Sequence, residues 1–119
     1  MLTRLTAAAG FELRLDLAPA TPRSRLQSVV EHNRLRLRRE LMALGAANIR
    51  IFGSVARGDD GPDSDVDLLV DIDESIGLFT LGRMHSAAER VLGVSVDVVP
   101  ADSLKAEVRE RVLAEAVPL

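Results

Sequence analysis

Apolar and polar residues alternate along this chain with two distinct periods. At 11–17 (FELRLDL), Phe11, Leu13, Leu15 and Leu17 alternate with Glu12, Arg14 and Asp16, which predicts a half-buried strand. APATP at 18–22 then breaks the chain. From 24 to 44, Leu26, Val30, Leu37, Leu41 and Leu44 recur at helical spacing; Ser24 with Gln27 resembles a capping box, and Gly45 supplies a stop. NIRIF (48–52) predicts a short strand, VDLLVDI (66–72) a second and VSVDVV (94–99) a third. Helical spacing returns at 78–92, ended by Gly93, and at 102–116, with Asp102 or Ser103 as cap.

Two of the strands share a design. Val66, Leu68 and Val70 point one way while Asp65, Asp67 and Asp71 point the other; Val94, Val96 and Val98 oppose Ser95, Asp97 and Val99. The pattern predicts an α/β (α+β) domain, a small mixed sheet with helices on one face and carboxylates on the other. Residues 1–24 read as an N-terminal extension with one strand, and 25–119 as the core domain. The apolar face of the 11–17 strand needs a partner, so it predicts either a homodimer or an extra strand on the core sheet.

Composition narrows the function. A chain of 119 residues suits a single core, and 47% apolar residues with only 3% aromatic ones make that core Leu, Val, Ile and Ala. The absence of cysteine excludes disulfides, thiolate metal sites and a cysteine nucleophile. No apolar run approaches the ~18 residues of a membrane helix. Early charges at Arg4, Glu12, Arg14 and Asp16 argue against a signal peptide, so the expectation is a cytoplasmic protein without a membrane partner. The net charge of −3 hides an asymmetry: residues 59–74 hold eight acids and no base, while the rest of the chain has ten acids against fifteen bases. That acidic run reads as a local site. Arg34, Arg36, Arg38 and Arg39 do not share one helix face, so a solvated helix is expected there and direct nucleic-acid binding is not. His32 and His85 are isolated and read as surface or packing residues.

Asp65 and Asp67, two apart on a strand, project from one face about 6–7 Å apart along the backbone. Each can offer an oxygen to a shared cation, and Asp97 completes the cluster if its strand lies alongside. Hard oxygen donors without His or Cys select Mg²⁺, with Mn²⁺ as the alternative. Two such ions about 3.5–4 Å apart can bridge a triphosphate and activate a hydroxyl for in-line displacement. Upstream, Gly53 lets backbone amides approach a phosphate and Ser54 adds a hydroxyl. SVAR (54–57) predicts one helical turn whose start favours an anion; Arg57 offers a cation to phosphate or forms salt bridges with the nearby aspartates, and Gly58 ends the turn. Asp63 and Ser64 read as turn formers. Asp71, near its strand end, reads as solvent-facing.

Gly53-Ser54, ten intervening residues, then Asp65-Val66-Asp67 resemble the Gly-Ser…Asp-x-Asp pattern of the polymerase-β-like nucleotidyltransferase superfamily. GSVARGDDGPDSDVDLLV looks like its minimal members, similar to the antitoxins of HEPN/MNT toxin–antitoxin pairs, and LKAEVRERVLAEAVPL is similar to their C-terminal helix. The resemblance covers 48–99 closely and 25–118 more loosely. It implies the nucleotidyltransferase fold, with Asp65, Asp67 and Asp97 as metal-binding and catalytic acids, and Gly53 and Ser54 as triphosphate-binding residues. It further implies two Mg²⁺ ions, ATP as substrate, and transfer of AMP to a hydroxyl of a partner HEPN ribonuclease toxin, whose acceptor is a tyrosine. This chain contains no tyrosine, which agrees with modification of another molecule. Two alternatives remain: nucleotidyl transfer to a small molecule such as an aminoglycoside, and a non-catalytic module that binds a toxin.

Overall fold

At the first helix, the Ser24 hydroxyl accepts the Gln27 amide at 3.1 Å, and the Gln27 side chain accepts the Ser24 amide at 3.1 Å. This reciprocal cap satisfies two donors that the helix leaves open. The computed structural model describes residues 23–119. The strand expected at 11–17, and the dimer or extra strand built on it, lie outside the described residues.

The helix expected over 24–44 is two helices, α1 (Arg25–His32) and α2 (Arg34–Ala43). Asn33 divides them: its side-chain amide donates to the Val29 carbonyl at 2.8 Å and competes with the backbone ladder. Leu26, Val30, Leu37 and Leu41 are nevertheless all buried, so the apolar register survives the break. Gly45, at φ 108°, ends the pair as expected.

After it come β1 (Ala47–Phe52), the single turn α3 (Gly53–Arg57), β2 (Val66–Asp71), α4 (Leu78–Leu92) and β3 (Val96–Pro100). A 3₁₀ turn (Ala101–Ser103), α5 (Ala106–Glu115) and the two-residue β4 (Val117–Pro118) close the chain. The sheet runs β3-β2-β1-β4. β2 and β3 are parallel, which requires the α4 crossover between them; β1 is antiparallel to both its neighbours. The final helix starts later than expected and is capped at Lys105 rather than Asp102 or Ser103. Ser103 donates its hydroxyl to the Pro100 carbonyl at 2.7 Å and belongs to the 3₁₀ turn instead. No alternation announces β4.

Val66, Leu68 and Val70 of β2, Val96 and Val98 of β3 and Ile49 of β1 form the core with Leu26, Leu37, Leu41 and Met84 of the helices. The other face is not carboxylate alone. Leu69, between Asp67 and Asp71, is completely buried, and the C-terminal segment packs on this part of the sheet: the 3₁₀ turn against β2, α5 against β1 and α3.

Much of the acidic run has structural partners. Asp71, expected to face solvent, accepts the Asn48 amide at 2.8 Å and the Arg50 guanidinium at 2.7 Å. The β1–β2 ladder slips between Ala47 and Arg50, and Asn48 takes φ 48° there, a left-handed conformation Asn tolerates. Ser64 stabilises its loop by accepting the Gly61 amide at 2.8 Å. Asp60 accepts the Leu26 amide at 3.3 Å and so satisfies an open donor of α1. Hydrogen bonding to Ser24, then to the Leu26 backbone, holds the Asp60 carboxyl below its usual range against the effect of burial.

Asp60→Ala should therefore destabilise the domain by about 1 kcal/mol at neutral pH, measured by urea unfolding. A carboxyl with a depressed folded pKa contributes stability above its unfolded pKa and loses it as pH falls through the folded value. The gap between variant and wild type should close in acid.

Candidate active site

Phe52, Asp67 and Asp97 are register partners across three adjacent strands, β1, β2 and β3. The row puts Asp67 and Asp97 side by side on neighbouring strands, about 4.8 Å apart in backbone spacing. Gly53 follows Phe52 directly with φ 76°, a conformation only glycine adopts without strain. A Cβ built there would lie 2.5 Å from Asp67 Oδ2. The Asp67 carboxylate thus rests against the Gly53 backbone. Ser54 is half-buried in the same turn, Val55 anchors that turn in the core, and Gly58 ends it at φ 79°.

Burial, then the charges of Asp97 and Asp65, push the Asp67 carboxyl above its ordinary pKa, and Arg57 partly opposes them. The charges of Asp97, Asp65 and Arg57 thus all reach Asp67. Their oxygens fit a hard divalent cation in kind. Among the described residues, no three His, Cys, Asp or Glu side chains are gathered into a ready-made ion site. Asp67 and Asp97 are brought together. Asp65 stands exposed just before the first residue of β2, outside the ladder that aligns the other two.

Arg57 takes the ionic role left open by the sequence. Its Nε donates to Asp59 at 3.2 Å and its Nη1 to Glu115 at 3.0 Å, and both carboxylates stabilise its charge. The second oxygen of Glu115 accepts the Gly53 amide at 3.1 Å. Glu115 carries no motif and lies 62 residues from Gly53, so no local pattern could find it. His85 was legible only as a surface or packing residue, and it packs beside Asp97. Val96 and Val98 flank Asp97 and turn their polar groups to the free edge of β3. There His85 Nδ1 lies 3.2 Å from the Val96 carbonyl, the Val98 amide faces Nε2 at 3.4 Å, and Glu89 accepts the Val96 amide at 3.2 Å. A neutral imidazole with its proton on Nδ1 satisfies both of its contacts. His85 Nε2 is 3.8 Å from Asp97 Oδ1. A cleft of about 670 Å³ between α2 and α4 includes none of these residues; the acids open onto the surface instead.

The sequence profile described as nucleotidyltransferase domain matches residues 34–119, a span that includes every residue of this site. The chain belongs to that family. Protein adenylyltransferase MntA of Thermococcus cleftensis is 36% identical to this nucleotidyltransferase over 92 residues, covering 77% of this chain and 90% of that protein. A solved structure described as a candidate minimal nucleotidyltransferase superposes with TM-score 0.73 at 41% identity, covering 78% of this chain and 95% of that one. A toxin–antitoxin crystal structure with AMP-PNP shares the fold, with TM-score 0.61 at 20% identity, over 74% of this chain and 70% of that one. The expected minimal nucleotidyltransferase fold is therefore borne out.

Gly53→Ala should force both a strained backbone and a clash with Asp67, at a cost of about 1–3 kcal/mol. Urea unfolding should register that loss, and nucleotide binding should weaken with it. Asp67→Asn should do the opposite to stability. A carboxyl whose folded pKa is raised contributes stability at acid pH and loses it as pH rises through the folded value. The wild type has lost that contribution at neutral pH, and the amide avoids the loss. Without divalent ions, Asp67→Asn should melt a few degrees higher than wild type at neutral pH. The difference should vanish in acid, and added Mg²⁺ should stabilise only the wild type.

Proposed function

We propose that this nucleotidyltransferase moves AMP from ATP to a hydroxyl of a partner protein, a tyrosine on a ribonuclease toxin of the HEPN type, and so acts as an antitoxin. The observation that carries the reading is the close approach of the Gly53 backbone to the Asp67 carboxylate, with Asp97 alongside on the neighbouring strand. The adenylyltransferase name of the Thermococcus cleftensis relative supports AMP as the transferred group. Leu78 and Phe79 are 86% and 84% exposed and adjacent, which suits a protein acceptor better than a small polar molecule such as an aminoglycoside. The sequence has no tyrosine, which agrees with an acceptor in another chain.

In this mechanism the acceptor oxygen attacks the α-phosphorus of ATP, a new phosphorus–oxygen bond forms, and the bond to the bridging oxygen of the leaving pyrophosphate breaks. Asp65, Asp67 and Asp97 would hold Mg²⁺ or Mn²⁺, two ions in all, which when bound neutralise the triphosphate and lower the pKa of the attacking hydroxyl. Gly53 and Ser54 position the phosphates from the backbone and hydroxyl side. Arg57 adds positive charge at the same end. Asp97 orients the acceptor hydroxyl or takes its proton. The acceleration comes mainly from positioning and charge neutralisation.

Labelled ATP, Mg²⁺ and the protein that co-purifies with this chain make the test. Label should pass to the partner, and the double variant Asp65→Ala/Asp67→Ala should transfer it at least about a hundredfold more slowly. Absence of transfer by wild type would count against the reading. A double variant that still silences the toxin would point to a binding module in place of an enzyme.

A further inference from the structure

The Glu115 carboxylate sits where an anion is wanted. One oxygen takes the Gly53 amide at 3.1 Å and the other takes Arg57 Nη1 at 3.0 Å. These two donors are the ones assigned above to the triphosphate, and a single carboxylate engages both. We propose that Glu115 is a residue of the nucleotide site: an internal anion that occupies the phosphate donors until ATP displaces it. The inference rests on the proposed nucleotide-binding role of Gly53 and Arg57.

Three observations support displacement. A carboxylate and a phosphate oxygen need the same charge-assisted hydrogen bonds, so each amide or guanidinium hydrogen held by one is denied to the other. If Glu115 stayed in place it would add a negative charge against a polyanion in a region where Asp67 already responds to neighbouring carboxylates. The element that carries Glu115 is also lightly held. No residue of α5 is buried, and the end after it is held by β4, two exposed residues paired to Arg50 and Ile51, and by Leu119, whose amide donates to the Ile49 carbonyl at 3.0 Å and whose side chain packs partly buried against the core. Such an element can move away from the site at small cost compared with the core strands. Binding is reciprocal, so any partner contact that pulls α5 outward would raise ATP affinity, and ATP would loosen α5.

Glu115→Gln keeps the size and an acceptor oxygen but removes the charge. Mg²⁺·ATP binding, measured by calorimetry on the full chain, should tighten by roughly three- to tenfold in this variant, the scale of one charge-assisted hydrogen bond no longer contested. In wild type, saturating ATP should speed hydrogen exchange at the Ala116 amide, which bonds the Val112 carbonyl at 2.9 Å. Unchanged or weaker ATP binding by Glu115→Gln, with wild type binding normally, would overturn the inference and leave the nucleotidyltransferase reading intact. Slower exchange at Ala116 with ATP would overturn it equally. If neither wild type nor variant binds Mg²⁺·ATP, the nucleotide-site reading and this inference fall together.

Discussion

The contact between Gly53 and the Asp67 carboxylate governs the rest of this molecule. Only a residue without a Cβ can hold φ 76° there and leave room for an oxygen that a methyl group would meet at 2.5 Å. The contact fixes where β1 ends, where α3 turns away and how closely the backbone amides approach the acids of β2. Because β2 pairs in parallel with β3, the same register that seats Asp67 against Gly53 also sets Asp97 beside it. A shift of one residue would turn both carboxylates into the apolar layer and put Leu68 and Val98 outside. The buried face of β2 therefore does two jobs, packing the core and aiming the site.

That placement strains the electrostatics, and the surroundings show how the fold limits the cost. Of the acids between 59 and 74, several are neutralised locally. Asp59 pairs with Arg57, Asp60 caps α1, Asp71 is held by Asn48 and Arg50, and Asp73 accepts the Ser75 amide at 2.9 Å. Asp67 is treated differently, since burial and its acidic neighbours both disfavour its charge. The acidic run thus contains two populations. One knits the loop to the scaffold, and the other, at Asp67, holds a charge that its surroundings disfavour and Arg57 only partly balances.

What could be read from sequence follows this division. The Gly53–Ser54 turn and the shared face of Asp67 and Asp97 were legible because strand alternation and a turn glycine are local, and local spacing fixes which face a side chain takes. The strands and α4 were found for the same reason. Asn33 was missed because its break comes from one side-chain bond to Val29, against an apolar spacing that continues unbroken. The structural roles of Asp60 and Asp71 depend on partners 34 and 21 residues away, which a charge count cannot assign. Glu115 is the extreme case. It reaches Gly53 only because β4 folds back on β1, and neither residue of β4 shows a strand pattern.

The C-terminal segment is therefore more than an end to the chain. Its 3₁₀ turn packs on β2 and α5 packs against β1 and α3, yet α5 contributes no buried residue. A segment held by a short edge strand, the Leu119 contact with the core and two ionic hydrogen bonds has lower local stability than the buried strands beside it. Acids fixed on the sheet and a helix that buries no residue put precision and mobility in different elements: the sheet fixes the geometry of Asp67 and Asp97, and α5 can adjust without disturbing it. Any ligand that binds at Gly53 must exchange bonds with Glu115, so the position of α5 and the occupancy of the site are thermodynamically coupled whatever route joins them.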